Sequence, residues 1–210
     1  NWGQNDKFPT LTAPHFGYQG VILWEEFGPA ALSVRIRSEG MMNVGPCMSP
    51  QNAFYILQGL ETLGLRMERH MSNTAAILDF LVNDERIAWV KHPSLPDHPG
   101  HEVAMRLMPK GQGSIIACGI KGGREAGQAF IESVQLASHL ANVGDAKTLV
   151  IHPGSTTHSH LSTDAMASSG LTDDFIRISV GLEDIEDLKD DFRQALRTAS
   201  KVQSAKELAE

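Results

Sequence analysis

Apolar residues recur every three or four positions between residues 49 and 81, a spacing typical of one continuous helix with a buried face. Ser49 can accept hydrogen bonds from the first free backbone N–H groups, and Pro50 suits the first helical position. A helix of this length would span about 45–50 Å, so we predict that it bridges two bodies. Gly59 and Gly64 indicate close packing against a neighbour or a mild kink. The stripe comprises Ala53, Leu57, Leu60, Leu63, Met67, Met71, Ala75, Leu78 and Leu81.

Strand patterns and helix patterns alternate after this helix. Four apolar segments favour strands, at residues 86–92, 113–120, 148–152 and 175–180. Helix patterns cover residues 101–108, residues 124–134 and a final amphipathic segment from about residue 183. This order predicts an α/β fold with a small mixed or antiparallel sheet covered by helices, joined to the long connecting helix.

The residues before the long helix show no clear period. Residues 1–20 are rich in Pro, Gly and aromatic side chains, which predicts an ordered loop that needs outside contacts. Residues 21–24 and 31–36 fit either helix or strand, and residues 40–47 are typical of turns. The first residue is Asn, so we expect that the chain follows a processing or truncation point, or lies inside a larger gene product.

Composition narrows the class of protein. A chain of 210 residues with 41% hydrophobic side chains can bury a sizeable core. Its net charge of −7 argues against a nucleic-acid partner and against an anionic membrane surface, since both need clustered Lys and Arg. Cys47 and Cys118 are far apart, which favours a reducing, cytoplasmic compartment. No apolar run is long enough to span a membrane, and no signal peptide opens the chain.

Three segments resemble ligand sites but have simpler explanations. Lys121–Gly127 follows a strand and opens a helix, where phosphate can bind, yet it lacks the known glycine-rich motifs and fits a plain turn. His152, His158 and His160 have no convincing further metal ligand before Asp164, so we predict polar-loop histidines and no metal site. The acidic run at residues 183–191 is explained as the solvated face and first turn of a helix.

Arg177 is the most informative polar residue. It interrupts the apolar segment FIRISVG, where a guanidinium needs an anion or an equivalent partner. The pattern leaves two interpretations open, a structural ion pair and a site for an anionic ligand.

Several long segments resemble the O-acetylhomoserine sulfhydrylase branch of the pyridoxal-phosphate (PLP) enzymes of Cys/Met metabolism. The resemblance covers essentially the whole chain and is carried by SPQNAFYILQGLETLGLRMERH, HPSLPDHP, LASHLANVGDAKTLVIHPGSTTHSHLS, FIRISVGLEDIEDL and FPTLTAPHFGYQG. It implies the C-terminal part of a fold-type I enzyme. Residues 1–48 would end the large cofactor domain and its linker, residues 49–81 would form the bridging helix, and residues 82–210 would form the small domain.

The resemblance also implies which residues serve the site. The family's cofactor lysine lies in a Ser-x-Thr-Lys context that is absent here, so it is expected upstream, and no catalytic residue is expected in this chain. Arg177 would bind the substrate carboxylate, and Asn142, where relatives have a Ser, would help to hold it. Thr157 and His158 would lie where a family loop approaches the pocket.

These resemblances imply a PLP-dependent transferase or lyase in amino-acid metabolism. The expected partners are the N-terminal PLP-binding half of the same enzyme and further copies, as a dimer of dimers. The reaction would join O-acetylhomoserine to sulfide or a thiol and release acetate. Two alternatives remain open: another trans-sulfuration enzyme (a cystathionine synthase or lyase, or methionine gamma-lyase), and a non-catalytic α/β binding module or stable fragment.

Overall fold

The first part of the chain is built from short helices rather than from a loop. The computed structural model describes residues 2–4 and 6–207, and the chain divides into two compact units between Leu60 and Glu61. Helices of the first unit are α1 (Pro9–Thr12), α2 (Leu23–Phe27), α3 (Ala31–Arg35), α4 (Met42–Val44) and α5 (Pro50–Glu61). Single turns join them: 3-10 turns at Trp2–Gln4, Phe16–Tyr18 and Gly28–Ala30, and a π-helical turn at Ile36–Met41.

Helical turns replace the loop and the turns that the sequence predicts for residues 1–20 and 40–47. The prediction was wrong there because helices of three to five residues are too short to show a period. Leu11, Leu23 and Ala31 form a small buried cluster that holds three of these helices together. The domain boundaries predicted after residues 48 and 81 remain a prediction.

The predicted long helix is interrupted at Thr62. Helix α5 ends at Glu61, and helix α6 (Leu63–Val82) begins after Thr62, whose φ of −104° and ψ of 5° are not helical. A β-branched residue between Gly59 and Gly64 weakens the helix here, since all three have lower helix propensity than Ala. No helix within the described residues is long and apolar enough to cross a membrane.

Helix α6 buries the predicted apolar stripe only near its C-terminal end, at Leu78 and Leu81. Met67 and Ala75 are exposed, whereas His70, Asn73 and Thr74 are buried. Further along, Ile77, Leu78 and Leu81 continue the same buried face. Spacing alone could not show this, because three polar residues occupy core positions and find partners there.

A five-stranded mixed sheet organises the second unit, which confirms the predicted fold class. Its strands are β1 (Ile87–Lys91), β2 (Ile115–Ile120), β3 (Ser138–His139), β4 (Leu149–Ile151) and β5 (Phe175–Ser179). The order is β1-β2-β5-β4-β3, antiparallel except for the parallel pair β3 and β4. Further helices are α7 (His101–Leu107), α8 (Gly123–Ser133), α9 (Thr163–Ser168) and α10 (Ile185–Glu207), with a 3-10 turn at Pro153–Ser155. Strand β3 has two polar residues and no sequence signal.

Helices cover one face of this sheet. Successive strand residues point to opposite faces, and Ile116, Cys118, Ile176 and Ile178 point to the covered one. Helices α6, α8 and α10 pack there, and Phe130 of α8 meets Phe192 of α10 at 5.5 Å between ring centroids. Residues of the opposite face, such as Ile115, Ala117, Phe175 and Arg177, stay half-buried.

The buried Asp191 corrects the view that the acidic run is merely solvated. From helix α10 its carboxylate accepts three backbone N–H groups, from Gln135 at 2.7 Å and from Leu136 and Ala137 at 3.0 Å each. These donors lie between helix α8 and strand β3, where no other element satisfies them. Asp191 therefore fixes the segment that brings β3 to the edge of the sheet.

Replacing Asp191→Asn should lower the free energy of unfolding by about 2–3 kcal/mol, because an amide nitrogen would then face backbone donors. Denaturant unfolding of the purified chain measures this. Asp190→Asn is the matched control, since Asp190 is exposed and pairs only with Arg193 on the helix surface. We expect the control to change stability by about 0.5 kcal/mol or less. Equal losses in both variants would contradict the assignment.

The two thiols should react at very different rates. Cys47 is exposed, whereas burial raises the pKa of the Cys118 thiol to about 12, with a smaller contribution from Asp174. A thiol-reactive dye at pH 8 should therefore titrate one cysteine in the folded chain and two in denaturant, because thiolate is the reactive form. Cys47→Ser should remove the fast reaction and Cys118→Ser should leave it intact. Rapid labelling of Cys118 in the folded chain would contradict the packing of the covered face.

Candidate functional site

Arg177 lies at the centre of the uncovered sheet face. In strand β5 it pairs with Ala117 of β2 on one side and with Ile151 of β4 on the other. Its neighbours Ile176 and Ile178 are fully buried under the helices, so the Arg177 side chain points to the opposite face. There its Nη2 donates a hydrogen bond to the main-chain carbonyl oxygen of Asn142 at 3.1 Å.

No carboxylate neutralises the Arg177 guanidinium among the described residues. The five ion pairs found there involve other side chains. Partial burial lowers the pKa of Arg177 from its ordinary value, because charge is removed from water without a counter-ion. The interpretation of Arg177 as part of a structural ion pair therefore lacks an acidic partner among the described residues. The other interpretation remains: an anionic ligand would compensate the guanidinium for the hydration that it loses.

The sheet topology brings two loops to the same end of the strands. Strands β3 and β4 are parallel, so the loops that follow them begin at the same end of the strands. Asn142 belongs to the loop after β3, and Thr157 and His158 belong to the loop after β4. Arg177 pairs with Ile151, the last residue of β4, and therefore lies at the same end of the strands. Of the four predicted residues, Asn142 contacts Arg177, and Thr157 and His158 lie on the loop that follows β4.

Asn142 contacts Arg177 through its main chain and uses its side chain locally. Its Oδ1 accepts from Val143 N at 2.8 Å, and its Nδ2 donates to Asp145 at 3.1 Å. Asp145 in turn accepts from Lys147 N at 3.1 Å, and this bond together with the one from Asn142 lowers the pKa of the Asp145 carboxyl. The Asn142 side chain therefore shapes a turn, and its carbonyl oxygen orients the guanidinium.

Thr157 and His158 are exposed and contact each other. Thr157 Oγ1 and His158 Nδ1 lie 2.9 Å apart, and within the described part of the chain neither side chain bonds to Arg177. The loop is anchored by His152, which corrects its interpretation as a polar-loop residue. His152 is 5% exposed, accepts from Ser155 N at 3.1 Å and, with that nitrogen occupied, donates through Nε2 to the Asp173 carbonyl at 2.9 Å.

The described residues do not form a metal centre or a covalent PLP site. No group of three or more His, Cys, Asp or Glu side chains among them could hold a metal ion. The lysines whose side chains are described are exposed, apart from Lys189, which pairs with Glu186 at 2.9 Å. A lysine that binds PLP is held in a closed site, and these surface lysines do not fit that role. What this part of the chain offers is the half-buried cation of Arg177, with no anion beside it among the described residues.

A polar network beside the site was missed at the sequence level. The Glu183 carboxylate accepts from Thr148, and Asn73 of α6 donates to the carbonyl oxygens of Gly181 and Glu183. The sequence does contain an indication of this network: His70, Asn73 and Thr74 are spaced so that they lie on one face of a helix. Polar residues on one helix face indicate that this face packs against polar groups of another segment. The acidic run obscured the role of Glu183, just as it obscured that of Asp191.

Comparisons with known proteins identify relatives of this chain. The family model described as Cys/Met metabolism PLP-dependent enzyme matches residues 19–197. The chain is 44% identical to O-acetyl-L-homoserine sulfhydrylase 1 of Thermus thermophilus, over 92% of the chain. It is 42% identical to homocysteine synthase of Schizosaccharomyces pombe, over 95%. A crystal structure of a putative O-acetylhomoserine (thiol)-lyase from Campylobacter jejuni, with pyridoxyl-lysine phosphate, matches 93% of the chain with a TM-score of 0.79 and 33% identity.

These proteins are about twice as long as the chain. The chain spans 46% of the Thermus protein, 47% of the Schizosaccharomyces protein and 46% of the Campylobacter chain.

Proposed function

The chain belongs to the family of Cys/Met metabolism PLP-dependent enzymes, and from this we propose that it is the C-terminal part of an O-acetylhomoserine sulfhydrylase. The complete enzyme would convert O-acetylhomoserine and sulfide or a thiol into homocysteine or methionine and acetate. The names of the Thermus and Schizosaccharomyces relatives support this choice within the family.

Arg177 carries the proposal. A guanidinium presents two parallel N–H donors that match the two oxygens of a carboxylate, and every amino-acid substrate has an α-carboxylate. The bond to the Asn142 carbonyl holds one side of the guanidinium, which leaves its other donors for the ligand. Because the uncovered face is partly removed from water, this pair would be stronger than the same pair at an exposed surface.

This chain would contribute binding and orientation rather than proton transfer. When bound, PLP withdraws electrons from the amino acid, and the protein directs that chemistry by fixing the substrate. The described lysines do not fit covalent attachment, so we assign that role to the N-terminal half of the longer protein. Arg177 would hold the α-carboxylate, and the loops after β3 and β4, with Asn142, Thr157 and His158, would limit access of water to the substrate.

The N-terminal half is also the proposed partner for helix α5. None of its residues is buried, and its large apolar side chains are between 50% and 62% exposed at Phe54, Tyr55, Ile56, Leu57 and Leu60. Such a surface is unfavourable in water and is typical of an interface. We further propose that the complete enzyme is a cytoplasmic homo-oligomer, as the net charge, the cysteine pattern and the resemblance imply.

In the complete enzyme, Arg177→Lys should lower kcat/KM for O-acetylhomoserine, because Lys cannot form the two parallel bonds. The loss should correspond to about 2–3 kcal/mol of transition-state stabilisation. Steady-state kinetics measure this, and the absorption of the cofactor should not change. Arg197→Lys is the control, since Arg197 is exposed on helix α10. An unaltered kcat/KM in a folded Arg177→Lys variant would refute the carboxylate role, and a lowered melting temperature with normal turnover would indicate a structural role.

The 210-residue chain alone should bind a hydrophobic dye, and the complete enzyme should bind much less per mole. The physical reason is the exposed apolar surface of α5. Replacing Leu57 and Leu60 together by Gln should weaken the fluorescence of the isolated chain, while Leu107→Gln, at an exposed position on α7, serves as the control. Equal dye binding by the chain and by the complete enzyme would contradict the proposed partner of α5.

A further inference from the structure

We propose that Glu183 is a positioning residue for substrate binding, because it fixes the loop whose Asn142 carbonyl orients Arg177. This inference rests on the proposed role of Arg177 and adds a residue that makes no contact with Arg177 itself. Its basis is a continuous set of hydrogen bonds between two chain segments, residues 142–148 and residues 177–183.

Glu183 binds the end of the loop with both carboxylate oxygens. One oxygen accepts from the backbone N–H of Thr148 at 2.5 Å, and the other accepts from the Thr148 hydroxyl at 2.7 Å. Thr148 Oγ1 also accepts from Gly181 N at 2.8 Å, so its hydroxyl hydrogen is directed to Glu183. Thr148 is fully buried, and the backbone N–H that it presents needs this acceptor.

The two segments approach so closely that only glycine fits between them. A Cβ at Gly181 would lie 2.5 Å from the Ala146 carbonyl oxygen, from Thr148 N and from the Glu183 carboxylate. Beside it, Leu182 N donates to the Ala146 carbonyl at 2.8 Å. Residues 181–183 therefore set the position of residues 146–148, and there is no space for a side chain at position 181.

Helix α6 holds residues 180–183 in place from the other side. His70 Nδ1 donates to the Val180 carbonyl at 2.8 Å, and Asn73 Nδ2 donates to the Gly181 and Glu183 carbonyls at 3.1 and 2.9 Å. Arg69 donates to the same Glu183 carbonyl at 3.0 Å. Because the backbone of Glu183 is fixed to a long helix, its carboxylate is a rigid anchor for the loop.

This anchor reaches Arg177 through a short, internally bonded turn. Starting from Thr148, the loop returns through the hydrogen bonds of Lys147, Asp145 and Asn142 to the carbonyl that accepts from Arg177. Strand β5 and the residues after it thus bind the loop at both ends: Arg177 binds residue 142, and Glu183 binds residue 148. A loop released at Thr148 would no longer hold its carbonyl oxygen in place, and the guanidinium would lose its orientation for a carboxylate.

The decisive variant is Glu183→Gln in the complete enzyme. A Gln amide keeps the size of the side chain, but it has no charge and one of its two oxygens becomes a donor, so the hydrogen of the Thr148 hydroxyl loses its acceptor. Glu186→Gln is the matched control, because Glu186 lies on the exposed surface of α10 and pairs with Lys189. We would measure the affinities of L-methionine and of L-methioninamide, which lacks the carboxylate charge, from changes in cofactor absorption.

In Glu183→Gln, affinity for L-methionine should fall by about tenfold, in line with a weakened charge-assisted pair, while affinity for L-methioninamide should stay within about twofold. The KM for the substrate should rise more than kcat falls. Equal losses for both ligands would overturn the proposal, since a merely structural role would disturb them alike. No loss for either ligand would overturn it as well.

A double-mutant cycle tests the route through Arg177. In an Arg177→Lys background, Glu183→Gln should change L-methionine affinity by less than about twofold, because the pair that it positions is already lost. Full additivity would overturn the proposal. If Glu183→Gln does not fold, Thr148→Val removes one of the two bonds to Glu183 and keeps the backbone N–H, and the same ligand comparison applies with a smaller expected loss.

These outcomes separate the inference from the proposed function. An enzyme that does not use O-acetylhomoserine would refute the proposed reaction. The comparison of L-methionine with its amide would still test Glu183, because it depends only on recognition of an amino-acid carboxylate.

Discussion

The positive charge of Arg177 lies on the uncovered face of the small sheet and has no counter-ion in the part of the chain that the structure describes, and the surrounding structure is arranged around it. Arg177 cannot be buried under the helices, because desolvation there would be prohibitive without a carboxylate. It also cannot be fully solvated, since its strand is central and pairs on both sides. The Asn142 carbonyl supplies a neutral partner that holds the guanidinium without cancelling its charge. The cation therefore stays available to an anion from outside the unit.

Asymmetry of the sheet is what makes this arrangement possible. One face is filled by α6, α8 and α10, and two carboxylates, the buried Asp191 of α10 and the half-buried Glu183 just before α10, bind the connecting segments. Asp191 holds the approach to strand β3, and Glu183 holds the approach to strand β4. Strand β4 ends at Ile151, which pairs with Arg177, and strand β3 runs parallel to β4 one strand further out. Side chains on or just before α10 thus determine the positions of the segments that lead into β3 and β4.

The sequence predicted the features that depend on one repeated pattern. Four strands, the mixed α/β class and the oddity of Arg177 followed from alternation and from a charge in an apolar run. The two-residue strand β3 has no such pattern, because its pairing is set by the Asp191 anchor and by β4. Thr62 interrupts a helix whose apolar spacing continues past it. His70 and Asn73 have partners that are 108 to 110 residues away, and Glu183 has its partner Thr148 35 residues away, so no local sequence window contains these pairs. Asn142 came only from resemblance, and its main-chain contact was not foreseen.

The packing of helix α10 has a consequence for biosynthesis. Leu188, Phe192, Ala195 and Leu196 of this helix are fully buried against the sheet and its neighbouring helices. Ribosomes deliver every strand before they deliver α10, so the nascent sheet emerges with a hydrophobic face that nothing in the preceding chain fully covers. The domain core can close only when translation has passed residue 199. Until then the nascent chain exposes a surface that chaperones bind, and a premature stop within α10 would leave an aggregation-prone polypeptide rather than a shortened domain.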